Sequence, residues 1–141
     1  MNNGIRIRIT MAAMACAAFL LTVAPASAHH AFTAEFDNKK PVKLHGVVTK
    51  MEWINPHSWI HIDVKGDDGK VVNWAIECGA PGTLLRRGFS RTSVPVGTEI
   101  LVEGFQAKDG GLRANGTQVT LPDGQRLFLG SSNPDAADQK K

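Results

Sequence analysis

Histidines are concentrated in one part of this chain: all five lie between positions 29 and 61. Imidazole nitrogens bind transition metals and carry protons near neutral pH, so a cluster of them is a candidate chemical site. His29 and His30 are adjacent, and His57 and His61 flank Trp59 in the sequence. These four histidines are the candidate metal ligands, and what they can bind depends on where the working chain begins.

The residues before the adjacent histidines have the composition of a secretory signal peptide. Two arginines precede an apolar run at residues 11–23, and the small-residue triplet Ala-Ser-Ala ends at Ala28. The run is shorter than the roughly 20 apolar residues that span a bilayer. We therefore expect residues 1–28 to be removed as a signal peptide, leaving a periplasmic or secreted chain with no membrane span.

Cleavage after Ala28 would give His29 a free α-amine, whose unperturbed pKa of about 7.7 to 8.0 makes it easy to deprotonate. That amine and the His29 imidazole can close a chelate ring on one ion, and His57 or His61 would supply a third nitrogen. Nitrogen ligands in tetragonal geometry favour Cu(II), so copper is the predicted cofactor. His30 offers a competing mode of copper binding, in which its imidazole, the intervening backbone amide and the α-amine bind one ion together. This mode does not require a folded domain.

The remaining 113 residues are enough for one small domain. They carry 14 basic and 13 acidic side chains, a net charge of +1, so no electrostatic argument for nucleic-acid binding exists. Cys78 is the one cysteine after residue 28, and an internal disulfide is therefore excluded in the cleaved chain. We expect a domain over residues 29–130 followed by a disordered tail at 131–141, which has no apolar residue larger than Ala.

Short segments of strand-like residues, separated by turn signals, make up this domain. One short helix is expected at residues 81–88, with Pro near its start and Gly88 at its end. The order of strands and helix predicts an all-β fold. We expect a small five-stranded antiparallel barrel of the OB type with one short helix between strands three and four, and a small sandwich is the alternative. The predicted strands are residues 42–53, 58–65, 71–78, 98–107 and 112–121, followed by a short segment at 126–129.

The turn at residues 66–70, Gly-Asp-Asp-Gly-Lys, sets the register between the second and third strands. It suits a three-residue loop with Gly69 in the left-handed conformation, which pairs Gly66 with Lys70. A shift by one residue would mix apolar and polar side chains on both faces. The predicted inner face is Ile60, Ile62, Val64, Val72, Trp74 and Ile76, and the predicted outer face is His57, Trp59, His61, Asp63, Asn73, Ala75 and Glu77.

The outer face offers a second kind of site, formed by His57, Trp59, His61 and Glu77. The two strands that carry it form the binding surface of OB domains, so a small organic or saccharide ligand stacking on Trp59 beside Glu77 is an alternative to copper. His57 and His61 are about 13 Å apart at roughly 3.3 Å per residue, and they cannot chelate one ion unless the strand is bulged. A polar face that only keeps the sheet soluble is a further interpretation.

Recognisable catalytic patterns are missing from the sequence. It contains no hydrolase elbow, phosphate-binding loop, CxxC or HExxH motif, and no enzyme activity is predicted. A structural or accessory domain that docks onto a membrane or a redox partner, without a ligand of its own, is the third hypothesis.

Several stretches taken together resemble a known family. The combination of HHAFTAEFD, GVVTKMEWINPHSW, NWAIECGAPGTLLRRG and PVGTEILVEGFQAKDG is similar to a family of exported bacterial proteins described only as a domain of unknown function. The likeness covers residues 29 to about 130. It implies an exported single domain and brings no activity, cofactor or catalytic residue with it.

Overall fold

The computed structural model describes residues 29–130, with side chains from residue 32 onward. The predictions of a signal peptide at 1–28 and a disordered tail at 131–141 fall outside the described residues. Strands dominate the described chain, which confirms the all-β class. Its elements in order are α1 His29–Glu35, β1 Phe36–Glu52, β2 Trp59–Lys65, β3 Val71–Glu77, α2 Pro81–Arg86, β4 Glu99–Ala107, β5 Arg113–Thr120 and β6 Arg126–Phe128.

The strands form one sheet whose pairings return to the strand where they start. β1 pairs antiparallel with β2 and with β4, β2 with β3, and β4 with β5. β3 and β5 then pair in parallel over residues 75–77 and 113–115. The short β6 corresponds to the short segment predicted at 126–129 and pairs with β5 at the edge, so the described sheet has six strands, one more than the five predicted for the barrel.

The predicted register between β2 and β3 is confirmed. Ile62 lies opposite Trp74 and Asp63 lies opposite Asn73. The amide of Gly66 donates to the carbonyl oxygen of Lys70 at 2.8 Å. Gly69 has a φ of 78°, the left-handed conformation that the three-residue loop requires. Turn chemistry and hydrophobic alternation therefore set the same register.

The inner face of the ring is the main hydrophobic core. Ile60, Ile62 and Ile76 are fully buried and Trp74 is 8% exposed, as the alternation predicts. Val72 is 37% exposed, so its predicted place in the core is wrong. β5 pairs with β3 only at residues 75–77, and the turn end of the hairpin therefore extends beyond the closed part of the sheet.

Both helices are short, and only one of them was predicted. α2 begins at Pro81 as expected and ends at Arg86, shortly before Gly88, whose φ is 82°. α1 was missed because its seven residues are too few for a periodic pattern. None of the helices within residues 29–130 is long and apolar enough to cross a membrane.

α1 is held by a small hydrophobic cluster of its own, separate from the main core. Phe32, Phe36 and Ala107 are buried in it, and Phe105 packs against them. The Phe32 ring lies 5.9 Å from that of Phe36 and meets Phe105 edge-on at 5.8 Å, measured between ring centroids. The beginning of the described chain is thus packed against β1 and β4.

Candidate functional site

Trp59 lies in the middle of a row of polar side chains on the outer face of the sheet. Glu52 of β1 is opposite it on one side and Glu77 of β3 on the other. A register shift between Val48 and Lys50 changes which β1 residues face outward, and it is what brings Glu52 into this row. The half-buried Trp59 therefore has a carboxylate on each side.

His57 and Glu77 form one of two imidazole–carboxylate pairs at this row, the pair with the more buried carboxylate. His57 Nδ1 is 3.3 Å from Glu77 Oε1, and the two side chains are 37% and 7% exposed. Asn115 Nδ2 donates to the same oxygen at 3.0 Å, and Asn115 is itself buried. The carboxylate is held from β5 and occupies Nδ1 of the imidazole, which leaves Nε2 as the ring nitrogen for an external ligand.

The electrostatic environment of Glu77 reflects this burial. Removal from water raises the pKa of the Glu77 carboxyl, and the nearby charge of Glu35 raises it further, whereas His57 and the Asn115 hydrogen bond lower it. Glu35 is the last residue of α1, and it pairs with Arg113 on the same strand as Asn115. The N-terminal segment and the buried carboxylate therefore belong to one region of the surface.

His61 belongs to the second pair, with a different carboxylate. Its Nε2 lies 2.8 Å from Glu52 Oε1, and Lys50 Nζ donates to the same oxygen at 2.7 Å. The hydrogen bond from Lys50, followed by that from His61, lowers the pKa of the Glu52 carboxyl. Since His57 contacts β3 and His61 contacts β1, the two histidines face opposite sides of Trp59. The structure does not bring them together on one ion.

Contacts through neighbouring strands connect α1 to the buried carboxylate. Phe32 packs on Phe105 of β4, Phe105 lies opposite Asn115 of β5, and Asn115 bonds Glu77 of β3. Arg113, two residues before Asn115, adds an ion pair of 3.5 Å to Glu35. The helix that begins at His29 is therefore packed on the same outer face that carries Glu77.

A complete metal centre is not formed by the described side chains alone. From residue 32 to residue 130, no group of three or more His, Cys, Asp or Glu side chains is arranged to hold an ion. The predicted ligands His29 and His30 have side chains outside the described residues, so the chelate that they would form stays a prediction. Of the predicted site residues, the structure brings together His57 with Glu77 and places Trp59 between them and His61.

Cys78, which follows Glu77 and faces the core, is not part of this surface. It is 1% exposed, and burial strongly raises the pKa of its thiol. A buried thiol of high pKa is a poor nucleophile and a poor metal ligand at neutral pH. This agrees with its interpretation as a packing residue.

Sequence reasoning missed two residues that organise the site, Asn115 and Phe32. Asn115 reaches Glu77 only through the parallel pairing of β5 with β3, and sequence alternation gives no signal for a pairing between segments so far apart. Phe32 was missed together with its helix, whose seven residues are too few for a periodic pattern.

Comparison with known proteins agrees with the resemblance found in the sequence. No curated protein and no solved structure shows significant similarity to the chain. A family of unknown function, DUF6152, matches residues 15–118, which include α1, the His57–Glu77 pair and Asn115. Since the match covers well over half of the chain and nearly all of the strands described above, the protein belongs to the DUF6152 family.

Proposed function

We propose that this protein is an exported metal-binding module, periplasmic or secreted, that binds copper with His57 and the amine and imidazole of His29 after removal of residues 1–28. The observation that carries the proposal is the contact of 3.3 Å between His57 Nδ1 and the buried Glu77. Histidines that ligate metals usually donate their second ring N–H to a carboxylate, which fixes the tautomer and makes the ligating nitrogen more basic.

The placement of α1 supports the choice of His29 as the partner ligand. The helix begins at His29, and its other end, Glu35, pairs with Arg113, two residues before the Asn115 that donates to Glu77. A terminal amine and an imidazole on the same residue provide two nitrogens, and His57 Nε2 provides the third. Three nitrogens in a tetragonal arrangement are a Cu(II) donor set.

The fold proposed for this module is a closed barrel of the OB type. The pairing order β1-β2-β3-β5-β4 and back to β1, with β3 parallel to β5 and a helix between β3 and β4, supports that assignment. In OB domains the surface of the second and third strands binds ligands, and this is the surface that carries Trp59 and its two imidazole–carboxylate pairs.

Copper titration of the exported protein tests the proposal. The full chain is expressed, the exported product is collected, and its intact mass reports whether cleavage follows Ala28. Cu(II) affinity is then measured by competition with a chelator for this product, for His29→Ala, and for His57→Ala. We expect both changes to weaken binding by tenfold or more, about 1.4 kcal/mol of binding free energy.

His45→Ala is the matched control. His45 is an exposed histidine that pairs with Glu99 at 3.4 Å, on the β1–β4 side of the sheet. Its removal should leave copper affinity unchanged. If affinity survives His29→Ala, the chelate through His29 is wrong. If the His57→Ala protein binds as tightly as the unchanged protein, copper is held by the terminal peptide alone and the folded site does not exist.

A further inference from the structure

Resting on the proposed function, we propose that Phe32 is a positioning residue for the metal site. Its insertion between Phe36 and Phe105 holds the beginning of the chain against the sheet, and the three-nitrogen site forms only while α1 is docked there. Phe32 is a buried side chain in a cluster that contributes nothing to the main core, so its role is local to the N-terminal segment.

The helix needs this anchor because it cannot be stable alone. α1 has seven residues, and isolated helices shorter than about 12 to 15 residues are marginal in water. Its stability must come from packing, and Phe32 is 1% exposed between two aromatic rings. Without that ring, we expect the segment to leave the sheet.

The polar contacts of α1 that the structure describes lie in the later part of the helix. The amide of Lys108 donates to the carbonyl oxygen of Glu35 at 2.9 Å, Lys108 Nζ donates to the carbonyl oxygen of Thr33, and Arg113 pairs with Glu35. All three involve residues after Phe32. Among the described residues that hold α1 on the sheet, Phe32 is therefore the one nearest in sequence to the proposed ligand His29.

The anchor is close enough to His29 to control its position. They are three positions apart in the chain, which is about 4.5 Å along a helix at roughly 1.5 Å per residue. When α1 is docked, the amine of His29 is thus confined within about one turn of a fixed point on the outer face. When α1 is not docked, the amine samples a large volume. Binding one ion together with His57 then requires residues 29–35 to become ordered first.

The size of the effect follows from how often α1 stays docked. The apparent affinity is the intrinsic affinity multiplied by the fraction of molecules in which α1 is docked. If α1 is docked for about 10% of the time, binding is about tenfold weaker, and if it is docked for about 1% of the time, binding is about a hundredfold weaker. We therefore expect Phe32→Ala to weaken Cu(II) binding by about 10- to 100-fold. The remaining copper should bind through the His30 mode, which needs no fold.

The experiment compares exported proteins carrying Phe32→Ala, Phe105→Ala and Phe32→Leu. Phe105→Ala removes the opposing ring from β4 without touching the N-terminal segment, and Phe32→Leu keeps a large apolar side chain. We expect both alanine variants to show the same weakened affinity and the same Cu(II) paramagnetic resonance spectrum, matching that of His57→Ala. Phe32→Leu should recover the original spectrum and most of the affinity.

Ile100→Ala is the control for general destabilisation. Ile100 is buried in the main core, away from α1, so this variant loses stability and should keep the original spectrum and affinity. If Phe32→Ala and Phe105→Ala both keep the original spectrum and affinity, the positioning role is refuted although His57 and the amine still bind. If His57→Ala and His29→Ala are also silent, the proposed function itself fails.

Discussion

Replacing Glu77 by Gln separates the electrostatic role of this residue from its structural role. Glu77 Oε1 accepts hydrogen bonds from Asn115 at 3.0 Å and faces His57 Nδ1 at 3.3 Å. The amide oxygen of Gln can accept both contacts with the same geometry, so Glu77→Gln removes the negative charge while preserving shape. Glu77→Ala removes the contacts as well and serves as the comparison.

The two variants should differ in stability. Burial raises the pKa of Glu77, which means that the folded state disfavours its charged form and loses stability as pH rises through the raised pKa. Gln avoids that cost at neutral pH but makes weaker hydrogen bonds, so the free energy of unfolding should change by less than about 1 kcal/mol. Ala loses the hydrogen bond from Asn115 and the ion pair with His57, and should cost about 2 to 4 kcal/mol.

The same pair of variants should behave differently in copper binding. A neutral amide behind His57 no longer raises the basicity of its ligating nitrogen, and such changes around metal ligands typically cost 10- to 100-fold in affinity. We expect Glu77→Gln to weaken Cu(II) binding by about tenfold, equal to about 1.4 kcal/mol. Urea unfolding, monitored by tryptophan fluorescence, gives the free energy of unfolding. Competition with a chelator gives the Cu(II) affinity.

Two results would refute this reasoning. If Glu77→Gln binds copper as tightly as the unchanged protein, the carboxylate does not support His57 as a ligand. If Glu77→Gln is as unstable as Glu77→Ala, the charge itself holds β3 and β5 together, and the residue is structural.

Three further predictions follow from the packing. Trp74→Ala should lower the free energy of unfolding by about 3 to 5 kcal/mol, because it truncates a core side chain. Trp59→Ala should leave the domain folded and lower the free energy of unfolding by less than about 2 kcal/mol. Urea unfolding measures both losses, and equal losses would place Trp59 in the core. Gly104→Ala should cost about 1 to 3 kcal/mol or more in the same assay, since its Cβ would lie 2.3 Å from the carbonyl oxygen of Asn115, and a neutral result would contradict that close approach. Cys78, 1% exposed, should resist alkylation by iodoacetamide in the native protein and react in urea, as followed by mass spectrometry.

Local patterns predicted the β2–β3 hairpin because its determinants are local. The loop requires a left-handed residue, Gly69 supplies it, and one register alone puts Ile62 and Trp74 on the same side. The outward placement of His57 and Glu77 follows from that register. Nothing local indicates that Glu77 is buried, because the groups that cover it come from other parts of the chain.

The rest of the site depends on contacts between distant segments. Asn115 is 38 residues from Glu77, and they meet because β5 closes the ring against β3. Glu35 and Phe32 reach the same region because α1 folds back onto β4 and β5. Alternation within a strand says which face a residue occupies, but it does not say which other segment covers that face.

The burial of Glu77 is itself an argument about function. A carboxylate removed from water costs stability unless it is well paired, and apolar residues of similar volume often replace a buried ionic pair without loss. The protein keeps Glu77 in this place, supports it with Asn115 and directs it at a histidine that is 37% exposed. A purely structural domain gains little from that arrangement, whereas a site that must hold one imidazole in a fixed tautomer and orientation requires it.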